Sequence, residues 1–408
     1  MKTCKETRLQ NGLTVLTVED LNSMVATLSL SLRAGSRYEG PNESGYAHLI
    51  EHMILKGTKK RPSAESVGLV ADRAGALLAA ETNINYINIV AQSVNDHIPT
   101  IIELLADLVI NPLFNEKTLE NEKRIIIQEI HRARDNRSIL WFESTSRLFG
   151  EHPLGNNVLG DGKTIQSATS GKLRTYYSNF FTPNRAVLII NGNMDSDKLI
   201  ALIENDFAKW KNNNEIKERK KFPIPHKGEI FIRTPGKQTQ LYFNFVCLNV
   251  EPKILIGLKF LAHILGYGKA PFLKQELRHK SGLIYSLGVN IIASPDAALF
   301  YISTASTEPK EVVEIVKKTI NDFENALTER VHSEFQSQYR NFLMRVSVNP
   351  FTEIDILREF WMAYGILMPL DKMIKIISSL GHQEILNIKN KCLSEKKLFI
   401  TEFGEVKS

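Results

Sequence analysis

The sequence predicts an α+β protein of two similar lobes joined by a linker. Three observations lead there. The chain has 408 residues, too many for one ordinary hydrophobic core. Strand-like and helix-like apolar patterns follow one another in similar order in its two halves. Between the halves, composition shifts abruptly: residues 211–228 carry Asn212-Asn213-Asn214, a charge run, Pro223 and Pro225, with almost no periodic apolar signal. The expected division is therefore 1–210, a linker at 211–228, and 229–408.

In the first half, Leu13 to Val18 is rich in β-formers. Leu28 to Leu32 alternates Leu and Ser, the pattern of a half-buried strand. Ile98, Ile101, Ile102, Leu105, Leu108 and Val109 fall on one helical face, and Asn111-Pro112 stops the run. A strand follows at Ala186 to Ile190, and a helix at Ser196 to Trp210. The second half offers a strand at Leu241 to Leu248 and helices at Pro252 to Leu265 and Lys310 to Leu327. Further helical segments, broken at Pro350 and Pro369, fill Val331 to Ile377, and a closing strand lies at Leu398 to Thr401.

Composition excludes several classes. With 43% hydrophobic and 24% charged residues, the chain is neither fibrous nor a disordered polyampholyte. The net charge of +6 is mild, and the densest basic run, Lys217 to Lys221, falls in the linker without interleaved aromatics, so nucleic acid is not an expected partner. Cys4, Cys247 and Cys392 have no paired spacing, so neither a zinc knuckle nor a disulfide framework is expected. The N-terminus lacks the apolar core of a signal peptide, and no apolar run reaches the ~18–20 residues that cross a bilayer. The expectation is a cytoplasmic protein that does not engage membranes.

The chemistry concentrates in Gly45-Tyr46-Ala47-His48-Leu49-Ile50-Glu51-His52. On a helix, His48 and His52 are one turn apart on one face, about 5–6 Å between Cβ atoms. Both imidazoles can then reach one zinc ion. Glu51 shares that face and can accept a proton from a zinc-activated water as it attacks a carbonyl. The order HxxEH inverts the common HExxH zinc motif. Two histidines do not close a catalytic zinc site, so a third ligand is required. Leu119 to Ile130 reads as a helix on which Glu122 and Glu129, two turns apart, point the same way. Glu129 can complete the site and Glu122 can line the cleft beside it.

These residues carry a resemblance. His48 to Met53, Lys56-Gly57-Thr58, Asn111-Pro112-Leu113-Phe114, the Glu122 to Glu129 helix, His152-Pro153-Leu154-Gly155, Leu159-Gly160 and Thr182-Pro183-Asn184 together resemble the pitrilysin-type zinc peptidases. Mitochondrial processing peptidase, insulin-degrading enzyme and bacterial processing-peptidase-like proteins belong to that family. The similarity runs over essentially the whole chain. It implies that each lobe is a mostly antiparallel sheet packed on helices. It also implies one Zn2+ per chain on His48, His52 and Glu129, with Glu51 as general base and Glu122 as a supporting carboxylate. Leu277-Arg278 and Gly282-Leu283-Ile284-Tyr285 resemble the family's substrate clamp, which makes Arg278 and Tyr285 catalytic candidates. A peptide substrate follows, as does a homodimer, with a heterodimer of related chains as the alternative. The chain departs from the family on its substrate-pairing strand. There Gly75, Ala80 and Thr82 match, but Ala76 replaces a glycine and Ala79 an asparagine.

Two other readings share the HxxEH helix. Non-catalytic partner subunits of this fold usually lose a ligand or the base, and this chain keeps all of them. The S-ribosylhomocysteinases are single short lobes with a cysteine as third ligand, whereas this chain is doubled and supplies Glu129.

Overall fold

The computed structural model describes residues 2–212, 228–268 and 270–405. Its described residues form two compact units. The first unit is built on a six-stranded sheet. Its strands are β1 (Thr3–Arg8), β2 (Thr14–Glu19), β3 (Val25–Leu32), β4 (Leu77–Thr82), β5 (Ile87–Val94) and β6 (Ala186–Gly192), in the order β1-β2-β6-β3-β5-β4. Every pair is antiparallel except β2 with β6. The second unit carries β7 (Gly228–Arg233), β8 (Thr239–Leu248), β9 (Leu287–Ala293), β10 (Ala297–Ser306) and β11 (Leu398–Gly404), in the order β7-β11-β8-β10-β9. Its one parallel pair is β7 with β11. With β1 set aside, the two orders are the same: first strand, last, second, fourth, third. The two similar lobes expected from sequence are thus a duplicated, mostly antiparallel topology.

Four helices position the candidate site: α1 (Tyr46–Ile54), α2 (Ala64–Arg73), α3 (Ile98–Ile110) and α4 (Glu116–Asp135). The apolar stripe of α3 and residues Leu49, Ile50 and Met53 of α1 pack on Leu28, Leu30 and Leu32 of β3. These leucines stand opposite Ile190, Leu188 and Ala186 of β6, which extends one continuous apolar face.

The other face of β3 is not the solvated one its Leu/Ser alternation predicts. Ser29 and Ser31 are fully buried, and their hydroxyls donate to Asn88 Oδ1 at 2.7 and 2.9 Å. The helix Pro350–Tyr364 covers this face: Ile354, Leu357, Trp361 and Met362 pack on Leu16, Val18, Val187 and Ile189. The serines remain tolerable there because each buried hydroxyl has a partner. This helix also corrects the expected division. Pro350–Leu367 belongs to the first unit, although sequence order placed it within 229–408. The linker expected at 211–228 falls for the most part outside the described residues. Among the described residues, no helix is long and apolar enough to cross a membrane.

Leu357 is fully buried between helix and sheet. Leu357→Ala is expected to destabilise the first unit by about 2–5 kcal/mol through lost burial and a residual cavity. Urea unfolding followed by tryptophan fluorescence checks this.

Candidate metal centre

Helix α1 begins at Gly45, whose φ of +89° lies in the left-handed region that favours glycine. A Cβ here would meet Ile165 Cδ1 at 2.7 Å, and one on Gly160 would meet Gly45 Cα at 2.4 Å. The two backbones are in contact, which accounts physically for the Leu159-Gly160 motif. Since Gly45 has no side chain to cap the helix, Glu39 does so. Its carboxylate accepts the Gly45 N–H at 3.0 Å and the Ala47 N–H at 2.9 Å. Burial pushes the Glu39 carboxyl up to about 8, against the downward pull of those two donors. At the other end, Thr58 donates to Asp107 at 2.5 Å, Arg61 donates to the same carboxylate, and Asn111 donates to its second oxygen at 3.0 Å. The Lys56-Gly57-Thr58 turn is thereby tied to α3.

Between these anchors, Leu49, Ile50, Met53 and Ile54 face the core. His48 and His52 share the remaining edge, with ring centroids 4.7 Å apart and planes nearly perpendicular. Helix α4 lies across them. It is capped by Asn115, which accepts the Lys117 N–H at 2.9 Å, and seated by buried Leu119, Ile126 and Ile130. That seating turns Glu122 and Glu129 toward α1. Glu129 Oε2 lies 3.6 Å from His48 Nε2 and 3.7 Å from His52 Nε2. The three donor atoms lie within 4.8 Å of one another.

This donor set fits zinc. Tetrahedral ligands at about 2.0–2.1 Å sit about 3.3–3.4 Å from each other, so small side-chain movements would close the group on an ion. The shell behind the donors fits as well. His52 Nδ1 contacts Glu122 Oε2 at 3.0 Å, and Lys56 Nζ contacts Glu122 Oε1 at 2.9 Å. A carboxylate on Nδ1 holds its proton there and leaves the Nε2 lone pair facing Glu129. Burial, with His52 beside it, pushes the His48 imidazole down to about 3, which keeps it neutral and ready to donate its lone pair.

Glu51 sits beside the group, with Oε2 3.9 Å from His48 Nε2. The Thr82 hydroxyl on β4 donates to that same oxygen at 3.0 Å. Burial pushes the Glu51 carboxyl up from its ordinary value, opposed chiefly by His52. An open cleft of about 610 Å3 adjoins Glu51 and His52, walled by Leu55, Val67, Ala71, Ala76 and Leu78.

The structure therefore brings His48, Glu51, His52, Glu122 and Glu129 together. Glu122, 4% exposed, holds His52 instead of lining an open cleft. Arg278 and Tyr285 belong to the second unit. They meet each other there, the guanidinium 5.5 Å from the ring centroid, and Tyr285 is 82% exposed. Arg278 lies on a π-helical turn, Gln275–Lys280, ahead of β9. Sequence reasoning assigned no role to Glu39, Lys56 or Thr82. Lys56 and Thr82 stood inside matching motifs; Glu39 precedes the helix with no local signal.

The duplicated fold and the HxxEH helix faced by a glutamate-bearing helix define the inverted-motif peptidase class. The family described as "Insulinase (Peptidase family M16)" matches residues 14–162, and "Peptidase M16 inactive domain" matches residues 167–339. The chain belongs to the M16 peptidase family. A Rickettsia felis protein named "Uncharacterized zinc protease" is 29% identical over 398 residues, 95% of this chain and 94% of the relative. Bacillus subtilis "Uncharacterized zinc protease YmxG" is 26% identical and covers 82% of each chain. Among solved structures, "peptidase M16 inactive domain" from Pseudomonas fluorescens superposes with a TM-score of 0.88 at 19% identity, covering 100% of this chain and 98% of that one. A protease from Helicobacter pylori gives 0.86 at 19% identity, covering 99% and 100%. At these identities the structures speak for the fold.

The depressed His48 predicts a pH dependence. The unfolded chain binds a proton near pH 6.5 that the folded chain refuses until about 3, so this contribution to stability is present above 6.5 and is lost as pH falls through that window. Urea unfolding of metal-free protein across this range is expected to show the loss, and His48→Gln is expected to flatten it.

Proposed function

We propose that the chain is a zinc-dependent endopeptidase holding one zinc on His48, His52 and Glu129. The observation that carries this is the Glu129 carboxylate oxygen lying 3.6 and 3.7 Å from the two imidazole nitrogens, with Glu51 beside them. Zinc bound there would supply Lewis acidity, polarising the scissile carbonyl and making water a nucleophile near neutral pH. Glu51 takes the proton from the attacking water and returns it to the leaving amine; its raised pKa suits both transfers. Thr82 fixes the carboxylate that does so.

Strand β4 is the edge of its sheet and pairs only with β5 among the described residues. An extended peptide adding to that edge draws affinity from main-chain hydrogen bonds and selectivity from alternating pockets. Leu78, Ala80 and Thr82 lie on the half-buried face, and Leu77, Ala79 and Glu81 on the exposed one. Ala79, where the family carries asparagine, thus faces away from Thr82, so substrate pairing here rests on backbone and the apolar cleft. Arg278 and Tyr285 clamp the peptide, and two chains, of one kind or two related kinds, assemble the enclosed chamber. The word "inactive" in the description matching 167–339 favours keeping a second reading, a non-catalytic partner subunit.

One assay separates the two. Zinc-loaded protein alone is expected to cleave fluorogenic peptides from a mixed library. Glu51→Gln is expected to lower turnover by about 10²–10⁴ with zinc content unchanged. Wild-type zinc-loaded protein that cleaves nothing alone, but restores activity to a related chain, would move the partner-subunit reading ahead.

The clamp has its own test on the same peptide. Tyr285→Phe is expected to cost about 2–4 kcal/mol in kcat/KM, as loss of an oxyanion donor does. Arg278→Ala is expected to raise KM as well. Zinc content should hold in both. Wild-type kcat/KM in both variants would remove the second unit from the catalytic machinery.

A further inference from the structure

The buried nucleophiles that the peptidase reading leaves unused are in the second unit. Cys247 stands near the end of β8, and Cys392 ends the helix His382–Cys392. They are 145 residues apart in sequence, yet the Cys247 thiol donates to the Cys392 carbonyl oxygen at 3.6 Å. Both are buried, at 2% and 1% exposure. The scaffold holds them together: β11 begins shortly after Cys392 and pairs with β8, Leu398 opposite Phe245. Cys4, on β1 of the first unit, is half-buried.

We propose that Cys247 and Cys392 form a hydroperoxide-oxidisable dithiol that closes an intramolecular disulfide between β8 and the 382–392 helix. The Cys392 thiolate attacks one peroxide oxygen; the O–O bond breaks, leaving a sulfenic acid and, once the thiol's proton is taken up, an alcohol or water. The Cys247 sulfur then attacks the Cys392 sulfur. The S–O bond breaks, and hydroxide leaves as water with the Cys247 proton. Two thiols lose two electrons, and the peroxide gains them.

Two features make Cys392 the first to react. The Cys247 proton is engaged by the Cys392 carbonyl oxygen at 3.6 Å, which leaves the Cys392 thiol the freer of the two to lose its own. Hydrogen bonding from Cys247 and the ammonium groups of Lys397 and Lys391 lower its pKa from the ordinary thiol value, against burial. The same partner and burial push Cys247 up, which suits a thiol that acts second. A bond spanning so long a stretch of chain restricts the unfolded state strongly, so the oxidised form should be the more stable one. This inference is independent of the peptidase reading.

The test uses the full chain and hydrogen peroxide. After treatment and removal of excess oxidant, thiols are counted in guanidinium without reductant. The expected count falls from three to one, peptide mapping finds residues 247 and 392 linked, and Tm rises by several degrees and returns on reduction. Cys4→Ser should fall from two thiols to none, whereas Cys392→Ser should leave the Cys247 thiol intact and its Tm unmoved. Links through Cys4, sulfinic acid at Cys392 without a link, or both Cys247 and Cys392 remaining thiols under conditions that oxidise Cys4 would each overturn the proposal.

Discussion

Helix α1 has its N-terminus pressed backbone to backbone against Gly160, and the geometry of the metal centre follows from that seat. Two glycines permit the approach, and the approach denies the helix a side chain at its own cap. The free N–H groups of Gly45 and Ala47 must then be satisfied from elsewhere, since each left bare in the interior would cost about 1–3 kcal/mol. Glu39 supplies both acceptors at 2.9–3.0 Å and accepts burial in return. Because the helix is rigid, fixing its first turn and its C-terminal Thr58–Asp107 tie fixes His48, Glu51 and His52 together.

The electrostatics of the centre follow from how these groups are buried. His48 is held neutral because a second imidazole stands beside it in a poorly hydrated setting. His52 instead contacts Glu122 through Nδ1, and Lys56 contacts the other oxygen of that carboxylate. Burial raises Glu51, and like-charge repulsion from Glu129 and Glu81 adds to it. A neutral His48 imidazole among carboxylates that repel each other makes a setting in which a dication gains much. Burial, opposed chiefly by His52 and then by Thr82, leaves Glu51 a better proton acceptor than an exposed glutamate.

Much of this was legible in the sequence because it is local. One helical turn relates His48 to His52, and two turns relate Glu122 to Glu129; period alone aligns each pair. The likeness of the two halves could be anticipated because both close on a similar apolar run. What escaped is what depends on long-range packing. The apolar stripe of 350–364 announces a buried helix but cannot name the sheet it buries, and so its return to the first unit went unseen. For the same reason the Ser29 and Ser31 face read as solvated. Edge strands such as β4, with the weak pattern Leu-Leu-Ala-Ala-Glu-Thr, were visible only through resemblance. Cys247 and Cys392 looked unrelated because sequence distance says nothing about which strand and helix will touch.

Duplication of the fold carries a last consequence. Each unit ends its sheet on an equivalent edge, β4 in one and β9 in the other, so each inherits a strand whose outer hydrogen-bonding groups lack a partner strand among the described residues. In the first unit that edge carries Thr82, which donates to Glu51 beside His48, His52 and Glu129. In the second, the chain entering the edge carries Arg278 and Tyr285 instead. The histidine on that unit's first helix, His263, has gone the other way. It packs with Tyr339 and Phe342, ring centroids 4.9 and 5.8 Å away, and burial pushes it down to about 4. Among the described residues, that imidazole joins no group of side chains placed to share an ion. One topology thus carries two different sets of side chains beside equivalent edges, because the helix and turn next to the edge can be changed without disturbing the sheet behind them.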